Sequence, residues 1–165
     1  MQLPDAEQLL AILADRIHPL LADNTVLVGI HSGGAWLAER LQVMLGGDIP
    51  LGSLDISFYR DEFSRIGLHP QTKPSNIPFE IEGRHVFLVD DVLYTGRTLR
   101  GAMNELFDYG RPDKISLAVL VDRGGRELPV EAQIVGFKID LEARQNMELL
   151  RDEQGRFTLR LVEGK

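Results

Sequence analysis

The segment richest in chemical groups runs from Val86 to Thr98 and reads Val-Phe-Leu-Val-Asp-Asp-Val-Leu-Tyr-Thr-Gly-Arg-Thr. Its first four residues are apolar, which is typical of a strand covered on both faces of a parallel sheet. Asp90 and Asp91 follow directly. Ligands of open α/β sheets bind in the crevice at the carboxyl ends of the strands. The sequence therefore predicts two carboxylates in a ligand-binding crevice.

The residues after the two aspartates predict a phosphate-binding turn. The stretch from Val92 to Thr98 leads into a helix, whose free N–H groups and positive dipole end favour an anion. Gly96 lets the backbone approach a ligand closely, and the hydroxyls of Thr95 and Thr98 add donors. Carboxylates beside a phosphate repel it unless they accept hydrogen bonds from hydroxyls or meet a metal. A ribose 5-phosphate satisfies both requirements.

Each of these features also has a plain structural interpretation. The two aspartates could simply end a strand, and Thr98 could simply cap a helix. The two features together, in this order and spacing, are hard to explain as capping, so we favour a ligand site. An apolar strand that ends in aspartate is also typical of a nucleotide triphosphatase, but the pattern Gly-x-x-x-x-Gly-Lys followed by Ser or Thr is absent from the sequence.

The elements that position this segment alternate along the chain. Apolar spacing and glycine or proline stops predict helices over residues 5–21, 35–45 and 98–109, the first weakened at Pro19. Apolar runs predict strands over residues 26–30, 51–59, 86–89, 115–121 and 133–139. Strands that alternate with helices imply a parallel α/β sheet with right-handed crossovers. The alternation of apolar residues near the C-terminus predicts a terminal hairpin over about residues 146–162.

Two further stretches are candidates for ligand contact. The Gly-rich loop His31-Ser32-Gly33-Gly34 lies between a predicted strand and a predicted helix. It is not the nucleophile elbow of an α/β-hydrolase, because that pattern needs a glycine where Ile30 stands. Residues 60–78 contain three prolines and little periodicity, and loops of this length in a compact domain are usually either functional lids or mobile insertions. We expect a lid there.

Composition narrows the class of protein. A chain of 165 residues, 44% of them apolar, fits a single domain spanning residues 1–165. It has no cysteine, so disulfides and thiolate metal sites are excluded, and its compartment is expected to be the cytoplasm. No leader or membrane-spanning run is expected. The net charge of −7 disfavours an extended phosphate backbone as the main partner but allows one phosphorylated metabolite.

The segment from Val86 to Thr98 resembles the phosphoribosyl pyrophosphate (PRPP) motif of type I phosphoribosyltransferases. Two more stretches, Ser53 to Asp61 and Leu120 to Pro129, resemble the PyrR family. Members of that family are uracil phosphoribosyltransferases that in some bacteria also regulate pyrimidine operons by RNA attenuation. The resemblance covers roughly residues 26–136. It implies the type I phosphoribosyltransferase fold, a parallel sheet flanked by helices with a small hood over the base and a C-terminal β-hairpin.

The resemblance also implies roles for individual residues. Asp90 and Asp91 would be catalytic, contacting the ribose hydroxyls directly or through Mg²⁺ and its waters. The hood over the base would include Asp122, Arg123 and Gly124. The family often has an arginine where Gly33 stands. The residues implied to hold PRPP are Val92, Leu93, Tyr94, Thr95, Gly96, Arg97 and Thr98 at the 5-phosphate, His31, Ser32, Gly33 and Gly34 at the pyrophosphate, and Arg60 at the mouth of the long loop.

The implied reaction converts uracil and PRPP to UMP and pyrophosphate with Mg²⁺ as cofactor, in pyrimidine salvage. The base nitrogen is itself the nucleophile, so no protein nucleophile is needed. The protein must position the reactants, neutralise the leaving pyrophosphate and exclude water. Family members also imply a homodimer or higher homo-oligomer.

The alternative is a nucleotide-sensing, RNA-binding regulator of pyrimidine biosynthesis with weak or no transferase activity. Family members with that role carry a basic first helix that contains threonine and arginine. Here the first helix, Glu7 to His18, reads Glu-Gln-Leu-Leu-Ala-Ile-Leu-Ala-Asp-Arg-Ile-His and is not basic. RNA binding is therefore disfavoured, although the sequence leaves both functions open.

Overall fold

A five-stranded parallel sheet forms the centre of the computed structural model, which describes residues 2–56 and 75–164. The strand order is β2-β1-β3-β4-β5, and a separate antiparallel pair, β6 and β7, forms a hairpin. The strands are β1 (Thr25–Ile30), β2 (Leu51–Leu54), β3 (His85–Leu93), β4 (Lys114–Asp122), β5 (Ile134–Lys138), β6 (Gln145–Arg151) and β7 (Phe157–Glu163). The helices are α1 (Ala6–Ile17), α2 (Gly33–Met44) and α3 (Arg97–Tyr109).

The sheet separates two apolar cores, because successive side chains of a strand point to opposite faces. In β3, Phe87 and Val89 join the core that packs against α1, α2 and the hairpin. Val86 and Leu88 join the other core, which packs against α3. All four side chains are fully buried. The central strand is therefore rigidly held from both faces, which suits it to present groups at its carboxyl end.

The hairpin is attached to the first core through a cluster of charged groups. Phe157 of β7 is buried in this core, and its backbone N–H donates to Glu7 Oε2 at 2.8 Å. Arg40 of α2 donates to Glu7 Oε1 at 2.5 Å and to the carbonyl oxygen of Gly155 at 3.1 Å. One carboxylate of α1 thus joins α2 and the hairpin.

The segment before residue 57 and the segment after residue 74 pair with each other. Ser53 and Asn76 form an antiparallel bridge, with both N–H···O distances at 2.8 Å. The N–H of Asp55 donates to Ser75 Oγ at 2.9 Å, and Ser75 Oγ is 2.6 Å from Glu105 Oε1 of α3. The chain therefore leaves the sheet and returns to it at one place.

The predicted parallel α/β fold with its C-terminal hairpin is confirmed, with differences at element ends. β3 continues past Val89 to Leu93, because β4 pairs with it along that whole length. The two aspartates therefore lie inside the strand, where we expected them to follow it. The first helix ends at Ile17, and a 3-10 turn that contains Pro19 follows.

Three predictions fall wholly or partly on residues that the structure does not describe. The strand predicted over residues 51–59 is described only as far as Ile56, and β2 ends at Leu54. Of the loop predicted over residues 60–78, residues 60–74 lie outside the described part. The single domain stays a prediction. Within residues 2–56 and 75–164, no helix is both long and apolar enough to cross a membrane.

Candidate functional site

Asp90 and Asp91 lie near the carboxyl end of the central strand, both partly exposed. Asp90 Oδ1 accepts a hydrogen bond from the N–H of Asp91 at 2.9 Å, and Asp91 Oδ1 accepts one from the N–H of Val92 at 2.8 Å. Each carboxylate is therefore oriented by the backbone of the next residue. The strand fixes the backbone, so both carboxylates have defined positions before any ligand binds.

The turn from Tyr94 to Gly96 connects β3 to α3 and is held in shape from outside. Gly96 has φ +94°, a left-handed conformation that side chains disfavour, and an added Cβ would overlap the side chain of Val130. The carbonyl oxygen of Thr95 accepts from the N–H of Glu127 at 2.9 Å and from that of Leu128 at 3.1 Å. These hydrogen bonds from the segment after β4 therefore hold the turn in place.

The Gly-rich loop packs directly onto the aspartates. A Cβ at Gly33 would overlap the carboxylate of Asp91, and a Cβ at Gly34 would overlap the carbonyl oxygen of Val89 and lie 2.9 Å from the Cα of Asp90. The peptide bond between His31 and Ser32 is cis. The structure thus brings together the loop at the start of α2 and the carboxylates of β3.

Asp122 ends β4 beside this site and is held by two donors. Arg126 Nη2 lies 2.6 Å from Asp122 Oδ2, and the N–H of Gly124 donates to Asp122 Oδ1 at 3.1 Å. Burial raises the pKa of Asp122, but the hydrogen bonds from Arg126 and the Gly124 N–H outweigh it and hold this pKa below its usual value. A cavity of about 480 Å³ adjoins this carboxylate, lined among others by Gly124, Gly125, Lys138 and Ile139.

Sequence reasoning predicted most of these positions and missed others. The aspartates, the turn and the Gly-rich loop lie together as expected, although their roles toward a ligand stay predictions. Arg60 lies outside the described residues. Arg123 is buried, and its guanidinium contacts protein groups. Arg126 was missed. It pairs with Asp122 and donates to the carbonyl oxygens of Tyr94 and Val130. It lies in irregular chain after β4, so no periodic spacing marked it in the sequence.

The donor set fits a hard divalent cation that keeps most of its waters. Mg²⁺ is usually bound through one or two carboxylates together with substrate phosphates, not by a dedicated protein cage. In the part of the chain that the structure describes, no group of three or more histidine, cysteine, aspartate or glutamate residues could hold a metal. Asp90 and Asp91 are carboxylates of the kind that such an ion uses.

Comparison with known proteins gives the class of protein. A family model described as phosphoribosyl transferase domain matches residues 2–150. A purine phosphoribosyltransferase from Pyrococcus horikoshii is 27% identical with a TM-score of 0.62, over 82% of this chain and 83% of that one. A hypoxanthine-guanine phosphoribosyltransferase from Bacillus anthracis is 24% identical with a TM-score of 0.67, over 84% and 83%. The chain therefore contains a phosphoribosyltransferase domain and has the fold of that class.

Curated relatives narrow the class to one family. Bifunctional protein PyrR from Nitrosococcus oceani is 50% identical over 143 residues, which cover 86% of this chain and 81% of the relative. Bifunctional protein PyrR from Pseudomonas aeruginosa is 49% identical over 154 residues, which cover 91% of each chain. The chain therefore belongs to the PyrR family, and the predicted resemblance is confirmed.

Proposed function

We propose that this chain transfers the phosphoribosyl group of PRPP to uracil, giving UMP and pyrophosphate, in cytoplasmic pyrimidine salvage. One observation carries the proposal. The loop at the start of α2 is in contact with the Asp91 carboxylate, and Asp91 leads without a break into the turn at the start of α3. A pyrophosphate, a ribose and a 5-phosphate need three adjacent sites in this order.

In this proposal, the residues of the chain bind and orient the ligand. Asp90 and Asp91 accept hydrogen bonds from the ribose hydroxyls, because their orientation by the backbone leaves them fixed at the end of β3. The N–H groups at the start of α3 hold the 5-phosphate. Those at the start of α2, after Ser32, hold the pyrophosphate. Positioning of this kind converts a reaction between two molecules into an effectively unimolecular one.

Asp90 and Asp91 would also hold Mg²⁺, directly or through its waters. When bound, the ion would neutralise charge that develops on the leaving pyrophosphate. The uracil nitrogen is the nucleophile in this reaction, so the protein contributes no attacking group. Its task at the base is to exclude water and fix the ring. The cavity beside Asp122 and Gly124 is the expected place for the base, since it adjoins the end of the neighbouring strand β4.

The test combines a substrate panel with a double substitution. Purified protein is assayed with PRPP, Mg²⁺ and uracil, orotate, hypoxanthine, guanine or adenine. We expect turnover with uracil. Changing Asp90 and Asp91 together to asparagine keeps their shape but removes both charges, so kcat/KM should fall at least about a hundredfold, as when a positioned electrostatic group is lost.

The matched control is the double change Asp108→Asn and Asp113→Asn, which removes two exposed charges away from the site. It should leave turnover unchanged. Turnover with a purine and none with uracil would refute the proposed substrate. A double asparagine variant at positions 90 and 91 that keeps full activity would refute the proposed roles of the aspartates.

The second candidate function is regulation through RNA, which the word bifunctional in the names of the relatives favours. The net charge of −7 argues against it. Binding of a pyrimidine-operon leader RNA at sub-micromolar affinity, weakening steeply with salt, by a protein without transferase activity would replace the enzyme proposal.

We also propose that the chain forms a homodimer or a higher homo-oligomer. Light scattering that shows a monomer at micromolar concentration would contradict this proposal.

A further inference from the structure

Arg123 is a buried arginine at the junction of three segments. It directly follows β4, and only 2% of its surface is exposed. Its backbone N–H donates to the carbonyl oxygen of Leu93 at 3.1 Å, and its carbonyl oxygen accepts from the N–H of Leu141 at 3.4 Å. The backbone of Arg123 thus already joins the end of β3 to the chain that follows β5.

The guanidinium of Arg123 is turned toward residues 141–146, which precede and begin β6. Nη1 donates to the carbonyl oxygen of Gln145 and to Asn146 Oδ1, the latter at 3.2 Å. Nη2 donates to the carbonyl oxygens of Leu141 and Glu142, at 3.3 and 3.0 Å. Both terminal nitrogens are therefore committed to the 141–146 segment, and the planar fork of arginine suits this set of acceptors.

The flat face of the same guanidinium lies on the phosphate-binding turn. Its central carbon is 3.7 Å from the centroid of the Tyr94 ring, a distance typical of a cation–π contact. Gly125 packs closely against the same ring, since a Cβ at that position would overlap it. Arg123 therefore connects the turn and the 141–146 segment through one side chain.

This geometry leaves Arg123 no free face for a base. Protein groups occupy both terminal nitrogens and the flat face of the guanidinium, and the side chain is buried. Of its three nitrogens, only Nε has no hydrogen-bond partner among the described residues. We propose that Arg123 is a positioning residue, which fixes the 141–146 segment against the phosphate-binding turn and so shapes the site for the base. The inference rests on the proposed function for its kinetic consequence, but not for its structural one.

The substitution Arg123→Lys tests this idea because it keeps the charge and removes the fork and the flat face. We expect the KM for uracil to rise at least about tenfold, as when hydrogen bonds to a charged group are lost, with kcat and the KM for PRPP changing less than about threefold. Amide hydrogen exchange in residues 141–146 of the ligand-free protein should become at least about tenfold faster. Arg160→Lys, on the exposed face of the hairpin, is the matched control and should change none of these.

A second variant separates positioning from direct contact with the base. Asn146→Ala removes one acceptor of Arg123 and should raise the KM for uracil in the same direction by a smaller factor. The two changes together should then be less than additive, because they break one connection. Additive effects, or an Arg123→Lys variant whose exchange at residues 141–146 is unchanged, would overturn the inference. A wild-type protein without uracil turnover would refute the proposed function alone, since the exchange measurement needs no substrate.

Discussion

The N-terminus of α1 and the N-termini of α2 and α3 are built differently. Helix α1 begins at the capping residue Asp5, whose Oδ1 accepts from the N–H of Glu7 at 2.9 Å. Helices α2 and α3 follow Ser32 and Gly96, and neither of these residues makes a side-chain capping bond. In α1 the Asp5 carboxylate thus accepts from the N–H of Glu7, and in α3 the N–H of Arg97 donates to Thr95 Oγ1 of the preceding turn at 3.2 Å. Helices α2 and α3 begin at the edge of the sheet where β3 carries its aspartates, and α1 does not.

Under the proposed function, this difference separates a helix start that serves the fold from two helix starts that serve a ligand. A missing cap costs about 1 kcal/mol, which a bound anion can offset. The first turn of α1 adds Glu7, which binds Arg40 of α2 and the backbone of Phe157. It is therefore a structural junction. The starts of α2 and α3 are instead close-packed around glycines, with the site beside them.

The largest effects on stability and activity are expected from substitutions of Gly33 and Gly34. The two alanine variants should differ in whether they lower stability or only activity. In Gly34→Ala the new Cβ meets backbone atoms of Val89, which cannot move aside, so the free energy of unfolding should fall by about 1–3 kcal/mol and PRPP binding should be lost. In Gly33→Ala it meets the carboxylate of Asp91, a side chain that can turn aside only by giving up its hydrogen bond from the N–H of Val92. Stability should then change by less than about 1 kcal/mol, while kcat/KM for PRPP falls at least about tenfold.

Urea unfolding and steady-state kinetics measure both quantities. Gly47→Ala is not a suitable control, since its φ of +85° strains any side chain. Val43→Ile, at an exposed position of the same helix, is a better one for a small added group. Equal stability losses in the two glycine variants would contradict the distinction between a backbone and a side-chain obstacle.

A smaller effect is expected at Glu7. The hydrogen bond from Arg40, together with the Phe157 N–H, outweighs burial and holds the pKa of Glu7 below its usual value of 4.5. A lowered carboxyl pKa contributes stability that is present above the unfolded pKa and lost as pH falls through the folded one. Glu7→Gln should therefore cost on the order of 1–2 kcal/mol at pH 7, and its difference from wild type should shrink below about pH 4.5.

Unfolding by urea at several pH values between 3 and 7 would check this, with kcat as a second measurement that should stay unchanged. The neighbouring Gln8→Glu variant adds a charge to the same turn without the partners and serves as a control. If the free energies of unfolding of wild type and Glu7→Gln differ by the same amount over the whole pH range, Glu7 is not the group responsible for the pH dependence.

The smallest effect is expected for the cap of α1. Asp5→Ala removes the acceptor for the N–H of Glu7, so the free energy of unfolding should fall by about 1 kcal/mol with no change in kcat or KM. Asp5→Asn keeps a capping oxygen and should recover most of the loss. A change in the KM for PRPP in the alanine variant would mean that the start of α1 also contributes to the site and does not serve the fold alone.

Local patterns made the fold and the centre of the site predictable. The apolar run of β3, its two aspartates and the glycine before α3 are contiguous, so sequence spacing alone places them together. The extension of β3 to Leu93 was not predictable, because it depends on pairing with β4, whose partner residues lie about 30 positions further along the chain.

The other features that the sequence did not predict depend on contacts between distant segments. The side chain of Arg123 reaches carbonyl oxygens 18 to 22 positions away, and Glu7 accepts from a residue 150 positions away. Neither contact leaves a periodic or local signal. The buried position of Arg123 therefore appeared only in the structure, although the resemblance had placed the residue near the base.

The bridge between Ser53 and Asn76 has a consequence for how the family can vary. This pair brings together the segments on either side of residues 57–74. The entropic free-energy cost of closing a loop between them therefore rises by only about 0.6 kcal/mol for each doubling of the loop length. The pairing lies at β2, an edge strand of the sheet, and Leu54 and Ile56, just inside the bridge, belong to the core that packs against α3. The length of this stretch can therefore change at a small entropic cost while the sheet and its aspartates stay the same.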